Sequence, residues 1–432
     1  INFDKIKKVH FIGIGGIGVS AVARIMLAWG KEVSGSDRAK SEIIDELAKL
    51  GAKIFFEHNE ANVEDGVDLV VYTIAVNKDN PELNKAIKLG IKTLSYPEIL
   101  GVISQKKYTI AISGTHGKTT TTAMIGKILK DAELDPTIIV GSLMKEFNSN
   151  LVIGKSDYFV VEACEYRRSF LNLNPRIIVI TNIDNDHLDY YKDIEEIEVA
   201  FKEFVSKLKE EDYLVCNKKD DKLKDIVKDV SCKVVDYSEN DVSDLKLKVI
   251  GNHNLENAKA AISVSKILNI KYEIAINSLE NFHGTWRRFE YKGKTKNGAI
   301  VYDDYAHHPT EIKATLSGAR SLFKDKKITV VFQPHLYSRT KILIDEFAKS
   351  FKDADSVVVS DIYAAREIKD ESVKAADLVN KINDYEKKEK AKYIGNFQKI
   401  KNYLNNLNSN DVIITMGAGD IYNISDDLIK ID

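Results

Sequence analysis

The sequence predicts an α/β protein made of three consecutive α/β units. Three observations carry that expectation. Short apolar runs of strand length alternate with helix-length stretches along the whole chain, the pattern of parallel sheets covered by helices. Two of those runs lead straight into glycine-rich loops, at 13–18 and 114–119, each followed by a helical stretch. The chain has 432 residues, room for several cores at about 100–200 residues per domain.

The first unit opens with the buried-strand pattern Val9-His10-Phe11-Ile12. The glycine cluster and an apolar helix over 19–29 follow. A short strand at 32–37, a helix over 42–50, a strand near 52–56 and another over 67–72 continue the alternation to about residue 106. The second unit starts with Tyr108-Thr109-Ile110-Ala111-Ile112, runs into the second loop, and carries strands at 158–162 and 177–180 before ending near Gly284. The third has strands at 299–302, 328–332, 356–360 and 411–416. The polar tract at 399–410 reads as a helix and turn, and no fixed-period repeat is visible.

Lys and Arg total 63 and Asp and Glu total 65, a net charge of −2. That balance excludes the large positive excess of a nucleic-acid or membrane-surface binder, while leaving room for a local basic pocket. With 44% hydrophobic and 30% charged residues, the composition is globular rather than disordered. Cys164, Cys216 and Cys232 are too far apart for a C-x-x-C pair, so neither a zinc knuckle nor a dithiol is expected, and a reducing compartment is. No apolar run nears the ~18 residues of a membrane span, and the first residues lack a signal-peptide core. The expectation is a cytoplasmic protein without membrane insertion; nothing in the sequence fixes its oligomeric state.

Gly13-Ile14-Gly15-Gly16-Ile17-Gly18 fits G-x-G-x-x-G between a strand and a helix. Glycines there let backbone N–H groups approach a diphosphate at a helix N-terminus. Asp37 lies where a ribose-binding carboxylate is expected. The loop alone fits a dinucleotide, another nucleotide diphosphate or a structural turn. Gly114-Thr115-His116-Gly117-Lys118-Thr119 reads as a nucleoside triphosphate loop, with Lys118 for the β/γ-phosphates and the Thr119 hydroxyl for Mg²⁺. Ile112 stands where the full motif has its first glycine. A dehydrogenase has no need of this second loop; an ATP-driven ligase acting on a nucleotide-linked substrate uses both. Glu162 and His187, each after an apolar strand, sit where α/β sheets bind ligands and could help hold magnesium.

The segment 114–121 resembles the ATP loop of the Mur ligases, which build the peptide stem of bacterial peptidoglycan. The likeness continues in order through Glu162-Ala163-Cys164-Glu165-Tyr166, Thr181-Asn182-Ile183, Asp186-His187-Leu188-Asp189, Gly251-Asn252-His253-Asn254-Leu255-Glu256-Asn257, Arg287-Arg288-Phe289-Glu290, Asp303-Asp304-Tyr305-Ala306-His307-His308-Pro309, Phe332-Gln333-Pro334-His335 and Gly417-Ala418-Gly419-Asp420. Within the family the set is most similar to the alanine-adding branch.

That resemblance implies a Rossmann-like UDP-binding domain over 1–106, a central P-loop ATPase domain over 107–284 and a Rossmann-like C-terminal domain over 285–432. It implies UDP-N-acetylmuramate and L-alanine as substrates, with ATP and Mg²⁺. Gly15, Gly16 and Gly18 would face the diphosphate, and Ser36, Asp37 and Thr73 would line the nucleotide pocket. Gly114, Thr115, Gly117, Lys118, Thr119 and Thr120 would hold ATP phosphates, with Thr119, Glu162 and His187 on the metal and Asn254 and Asn257 on the adenine side. Arg288 and Asp304 would reach ATP as the third domain closes; Tyr305, His307 and Arg339 would hold the other substrates. Lys118 and Arg288 would offset charge in phosphoryl transfer, and either His307 or His187 would take the amine proton.

Read without the resemblance, 307–309 is also a loop with Pro309 opening a helix, Arg287-Arg288 a surface pair, Tyr305 a core residue, Trp286 packing, and Cys164 a buried structural thiol. Three departures stand out. Leu336 occupies a position where relatives often carry Arg, leaving Arg339. The stretch 237–251 is shorter than in relatives, which implies a trimmed strand pair in the middle domain. Lys202 lies where some relatives carry a carbamylated lysine, and reads as an ordinary helix-surface residue. The nearest alternative is the recycling ligase that adds a tripeptide to the same nucleotide sugar; Phe332-Gln333-Pro334-His335 favours alanine. A non-catalytic scaffold is disfavoured by the presence of Lys118, Glu162 and His187 together. Lys118→Ala is expected to abolish turnover while leaving nucleotide-sugar binding intact, measured by phosphate release and by titration of the sugar nucleotide; full activity in that variant would remove the ATP-loop reading.

Overall fold

The apolar runs become three separate sheets in a computed structural model that describes residues 1–187, 190–228, 230–365 and 367–430. The first sheet contains β1 (Lys8–Ile12), β2 (Glu32–Ser36), β3 (Lys53–Phe55), β4 (Leu69–Tyr72) and β5 (Lys92–Ser95). All pairings are parallel, in the order β3-β2-β1-β4-β5. Phe11, Ile12, Leu69, Val70 and Val71 are wholly buried, as continuous apolar strands covered on both faces must be. The chain leaves β1 toward β2 and later returns to β4 on the other side. The loop after β1 therefore sits at the switch point of the sheet, where ligands bind in open α/β folds.

The second sheet contains β6 (Tyr108–Ser113), β7 (Thr137–Met144), β8 (Ser149–Val152), β9 (Tyr158–Glu162), β10 (Ile177–Ile180), β11 (Tyr213–Cys216) and β12 (Lys233–Asp236). Their order is β12-β11-β10-β6-β9-β7-β8, parallel except for the β7–β8 hairpin. β9 and β10 flank β6, so Glu162, at the end of β9, comes beside the loop that follows β6. Residues 240–251 contain no strand, and β12 ends the sheet.

The third sheet contains β13 (Glu290–Lys294), β14 (Ile300–Asp304), β15 (Lys327–Phe332), β16 (Ser356–Val359), β17 (Ala391–Tyr393) and β18 (Asp411–Met416). The order is β13-β14-β18-β15-β16-β17, with only β13 antiparallel. Two apolar clusters cover its faces, one centred on Phe332, Phe347 and Phe351, the other on Val331, Ile413 and Ile424. Besides the two antiparallel additions, β8 and β13, the strands β5, β7, β11, β12 and β17 were not read from the sequence pattern.

The chain divides into two compact units. The first holds sheets one and two; the second holds sheet three together with 186–192, 244–256 and 280–284. The three expected domains thus correspond to three sheets, two of which share one unit. Within the first unit the sheets are tied at the start of the helix Ile17–Ala28. Asn150, buried on β8, donates to the Ile17 carbonyl at 2.8 Å and accepts from Arg24, which also reaches Ser149 Oγ at 3.1 Å. Gly101 is the second tie. Its α-carbon packs so close to the Asn172 carbonyl that an added Cβ would fall 2.4 Å from that oxygen, so only glycine fits.

Candidate active site

The first glycine loop is shaped by the end of β2. The Ser36 carbonyl accepts from the N–H groups of Gly13 at 2.8 Å and Ile14 at 3.0 Å. Asp37 Oδ2 accepts from Gly15 N–H at 2.9 Å. The helix that follows begins at Gly16 with no side-chain cap, which leaves first-turn N–H groups for an anion. Thr73 packs against Gly13, beside the loop. Ser36 corrects the sequence reading. Its hydroxyl is fully buried and donates to Glu82 Oε2 at 2.5 Å, so it turns inward and shapes the loop through its carbonyl. Glu82 also accepts from Asn62 at 2.5 Å and lies 3.3 Å from His58 Nδ1. Burial raises the Glu82 carboxyl, but hydrogen bonds with His10, Ser36 and Asn62 outweigh it and hold it below its usual range.

The second loop lies between β6 and the helix Lys118–Asp131, whose N-cap Gly117 has φ of 85° and offers no side chain. Lys118 Nζ folds over the loop onto the carbonyls of Gly114 and Thr115, at 3.0 Å to the latter, and pairs with Glu165 at 2.9 Å. Burial alone would favour the neutral amine; Glu165, Cys164 and Glu162 outweigh it and keep Lys118 charged. Thr119 Oγ1 donates to Glu162 Oε2 at 3.0 Å, and that oxygen also accepts from Gly141 N–H at 2.8 Å. A hydroxyl and a carboxylate oxygen side by side are the hard donors magnesium takes, so this pair fits the expected ion. His116 N–H donates to Asn182 Oδ1 at 2.9 Å, which fastens the loop to the end of β10. Asn257 leans against Gly117, where an added Cβ would fall 2.5 Å from its Oδ1. Thr115 and Thr120 are buried within the loop and first turn.

The second unit gathers another constellation. Arg287, buried, donates to Asp303 Oδ2 at 2.7 Å and to the carbonyls of Gly417 at 2.6 Å and Gly419 at 2.9 Å. It thereby binds the ends of β14 and β18 and turns Arg288 outward, over the Tyr305 ring and 3.7 Å from Glu311. Asp304 accepts from the N–H groups of Phe289 at 2.6 Å and Ala306 at 2.7 Å, and burial raises its carboxyl to about 6 against the pull of Arg288. Its oxygens are thus engaged by the backbone, and it sets the turns that present Arg288 and His307 instead of projecting toward a nucleotide.

His307 Nδ1 lies 3.0 Å from the Tyr305 carbonyl. A carbonyl only accepts, so Nδ1 carries the proton and Nε2 the lone pair. Burial lowers His307 to about 4, against the opposing charge of Glu311. Arg339 pairs with Asp186 at 2.7 Å, and Asp186 is held well below the usual carboxylate range: burial raises it, but Arg339 and the neighbouring histidines prevail. His187 follows Asp186 with φ of 56° and donates its N–H to Asp186 Oδ1 at 2.7 Å.

The family descriptions for a Mur ligase family catalytic domain, a Mur ligase middle domain and a Mur ligase glutamate ligase domain match residues 8–108, 112–265 and 287–419. A UDP-N-acetylmuramate–L-alanine ligase of Clostridium tetani is 46% identical over 98% of both chains. The chain belongs to the Mur ligase family. A ligase of the same name from Acetivibrio thermocellus is 45% identical, over 99% of this chain and 96% of its own. The crystal structure of UDP-N-acetylmuramate-alanine ligase MurC from Thermotoga maritima superposes with a TM-score of 0.80, at 30% identity over 98% of both chains. A murein peptide ligase from Psychrobacter arcticus shares the fold, with a TM-score of 0.71 at 23% identity over 98% of both chains.

In this Mur ligase, Lys118, Thr119, Glu162 and Asn257 come together in the first unit. Arg288, Asp304, Tyr305, His307 and Arg339 belong to the second, with His187 and Asn254. Asn254 uses its side-chain amide on the Ile250 carbonyl at 2.7 Å. Leu188 and Asp189, named in the resemblance, lie outside the described residues. Cys164 corrects its reading as a buried thiol: it is exposed, at a cavity it shares with Glu162. Lys202 is exposed in the last turn of Ile194–Val205, as an ordinary surface lysine is. Leu336 is buried at φ of 72°, so no cation stands in for the missing arginine at that position. Sequence reasoning gave no role to Glu165, Arg287 or Gln333. Gln333 joins Asp420 at 2.8 Å and Ile421 N–H at 3.2 Å. The signal for Arg287 lay in the doublets Arg287-Arg288 and Asp303-Asp304, where Arg287 pairs with Asp303.

The low position of His307 has a measurable consequence. Its folded value, about 4, lies below its ordinary 6.5, so the unfolded chain takes up a proton first as pH falls. Stability from neutral His307 is complete above 6.5 and is lost as pH drops toward 4. His307→Gln should therefore show a shallower loss of Tm between pH 7 and 5 than the parent chain; parallel curves would contradict a buried neutral imidazole.

Proposed function

We propose that this chain joins L-alanine to the lactyl carboxylate of UDP-N-acetylmuramate, with ATP going to ADP and phosphate, in the synthesis of peptidoglycan precursors. The observation that carries the reading is the Lys118 loop: a phosphate cradle with Thr119 and Glu162 beside it, in a chain matched end to end by alanine-adding relatives. No helix among the described residues is long and apolar enough to cross a membrane, and we place the reaction in the cytoplasm.

A carboxylate is a poor electrophile, so it must first be activated. A lactyl oxygen attacks the γ-phosphorus, ADP leaves, and an acyl phosphate forms. The difficulty is charge, since two anions must meet. Lys118 answers it on the ATP side, with first-turn N–H groups that need no reorganisation, and Arg288 offers a second cation. Thr119, Glu162 and His187 would hold magnesium, which when bound neutralises phosphate charge. The neutral amine of L-alanine then attacks the acyl carbon, and phosphate departs from the tetrahedral intermediate. His307 Nε2 takes the amine proton, because Nδ1 is committed to the Tyr305 carbonyl and the ring is neutral at working pH. Arg339 would exchange Asp186 for a substrate carboxylate. Gly15, Gly16 and Gly18 would bind the diphosphate, Asp37 and Thr73 the rest of the UDP, and Asn257 and Asn254 the adenine side.

The test is phosphate release from ATP with Mg²⁺ and UDP-N-acetylmuramate, with L-alanine present or omitted. Release that requires both substrates, with the alanyl product seen by mass spectrometry, is expected. Release with a tripeptide and not with alanine would move the chain to the recycling reaction.

A further inference from the structure

Tyr96 is the first residue of the helix Tyr96–Ser104, and its backbone is set firmly. Ser95 caps the helix, with its N–H on Glu98 Oε2 at 2.7 Å and its hydroxyl on the same oxygen at 2.6 Å, and Pro97 fixes the first turn. The phenol end lies against the first turn of the helix Ile17–Ala28. A Cβ added to Gly18 would fall 2.5 Å from Tyr96 Cζ and 2.7 Å from its oxygen, so the ring occupies the space Gly18 leaves open. That gives Gly18 a reason beyond the approach of a diphosphate.

Two further observations bear on the hydroxyl. It has no hydrogen-bond partner among the described residues, and the side chain is only partly buried. The ring also lines a cavity of about 170 Å³ whose other walls include Glu162, Ile74, Leu100 and Phe170. The hydroxyl is not sealed from water and is spent on no described group, so its O–H is available to a ligand. Here it is held at an uncapped helix start, and its ring also lines the cavity beside Glu162.

We infer that Tyr96 is a substrate-binding residue whose hydroxyl donates a hydrogen bond to the diphosphate of the nucleotide sugar at the start of the helix Ile17–Ala28. This rests on the proposed nucleotide-sugar reaction and adds a side-chain donor to a loop otherwise made of backbone N–H groups. The same ring lies against Gly18 and lines the cavity beside Glu162.

Tyr96→Phe removes the hydroxyl and keeps the ring against Gly18. Isothermal titration of UDP and of UDP-N-acetylmuramate into both proteins should show each ligand weakened by about 10- to 100-fold in the variant, the range for losing a hydrogen bond to a charged group. ATP affinity and Tm should stay unchanged. Equal UDP affinity in the two proteins would overturn the inference, as would loss of ATP affinity and Tm alongside UDP, which marks a packing role. Failure of the unmutated chain to bind UDP-N-acetylmuramate at all would instead remove the proposed substrate.

Discussion

Two helices that begin without side-chain caps, held in one compact unit, are the constraint from which the rest of the site follows. An uncapped start leaves N–H groups unsatisfied and a positive end exposed, which suits it to bind an anion. The helix Ile17–Ala28 starts this way after β1, and Lys118–Asp131 does so after β6. Asn150 and Arg24 tie the first to the sheet that carries the second. The spacing between the two helix starts, proposed above to hold a diphosphate and a triphosphate, is thereby set by part-buried hydrogen bonds.

The charged side chains obey a second rule. Each cation proposed for a substrate anion is already paired: Lys118 with Glu165, Arg339 with Asp186, Arg288 with Glu311. A buried charge without a partner is costly, so a site built to bind anions carries its own carboxylates. Substrate binding then exchanges one anion for another, and the net gain is the difference between two pairings. Differences of that kind favour specificity more than raw affinity. Arg287 is the exception, because it is spent on Asp303, Gly417 and Gly419 to hold two strand ends together. Removing it would leave Asp303 buried and unpaired.

Most of the fold was legible because parallel strands buried on both faces read as continuous apolar runs, and the two loops carry glycine where the backbone must turn. β13 was missed because Glu290-Tyr291-Lys292-Gly293-Lys294 is polar and half exposed at a sheet edge, with no apolar signal to detect. The residues of the site were legible by type but not always by duty. Ser36 and Asp304 were both expected on nucleotides; each sits at a strand end but spends its polar atoms on the backbone or on a buried acid. Whether a polar side chain at a strand end faces the ligand or the interior depends on its rotamer and neighbours, which spacing does not encode. Glu165 went unread for a related reason: its role is defined only by Lys118, far from it in sequence.

The central chemical claim is that the lactyl carboxylate is activated by phosphorylation before the amine attacks. UDP-N-acetylmuramate labelled with ¹⁸O in that carboxylate tests it directly, with the released phosphate read by mass spectrometry. An acyl phosphate passes one carboxylate oxygen to phosphorus, so each phosphate released should carry one labelled oxygen. Unlabelled phosphate, formed alongside the alanyl product, would contradict the account.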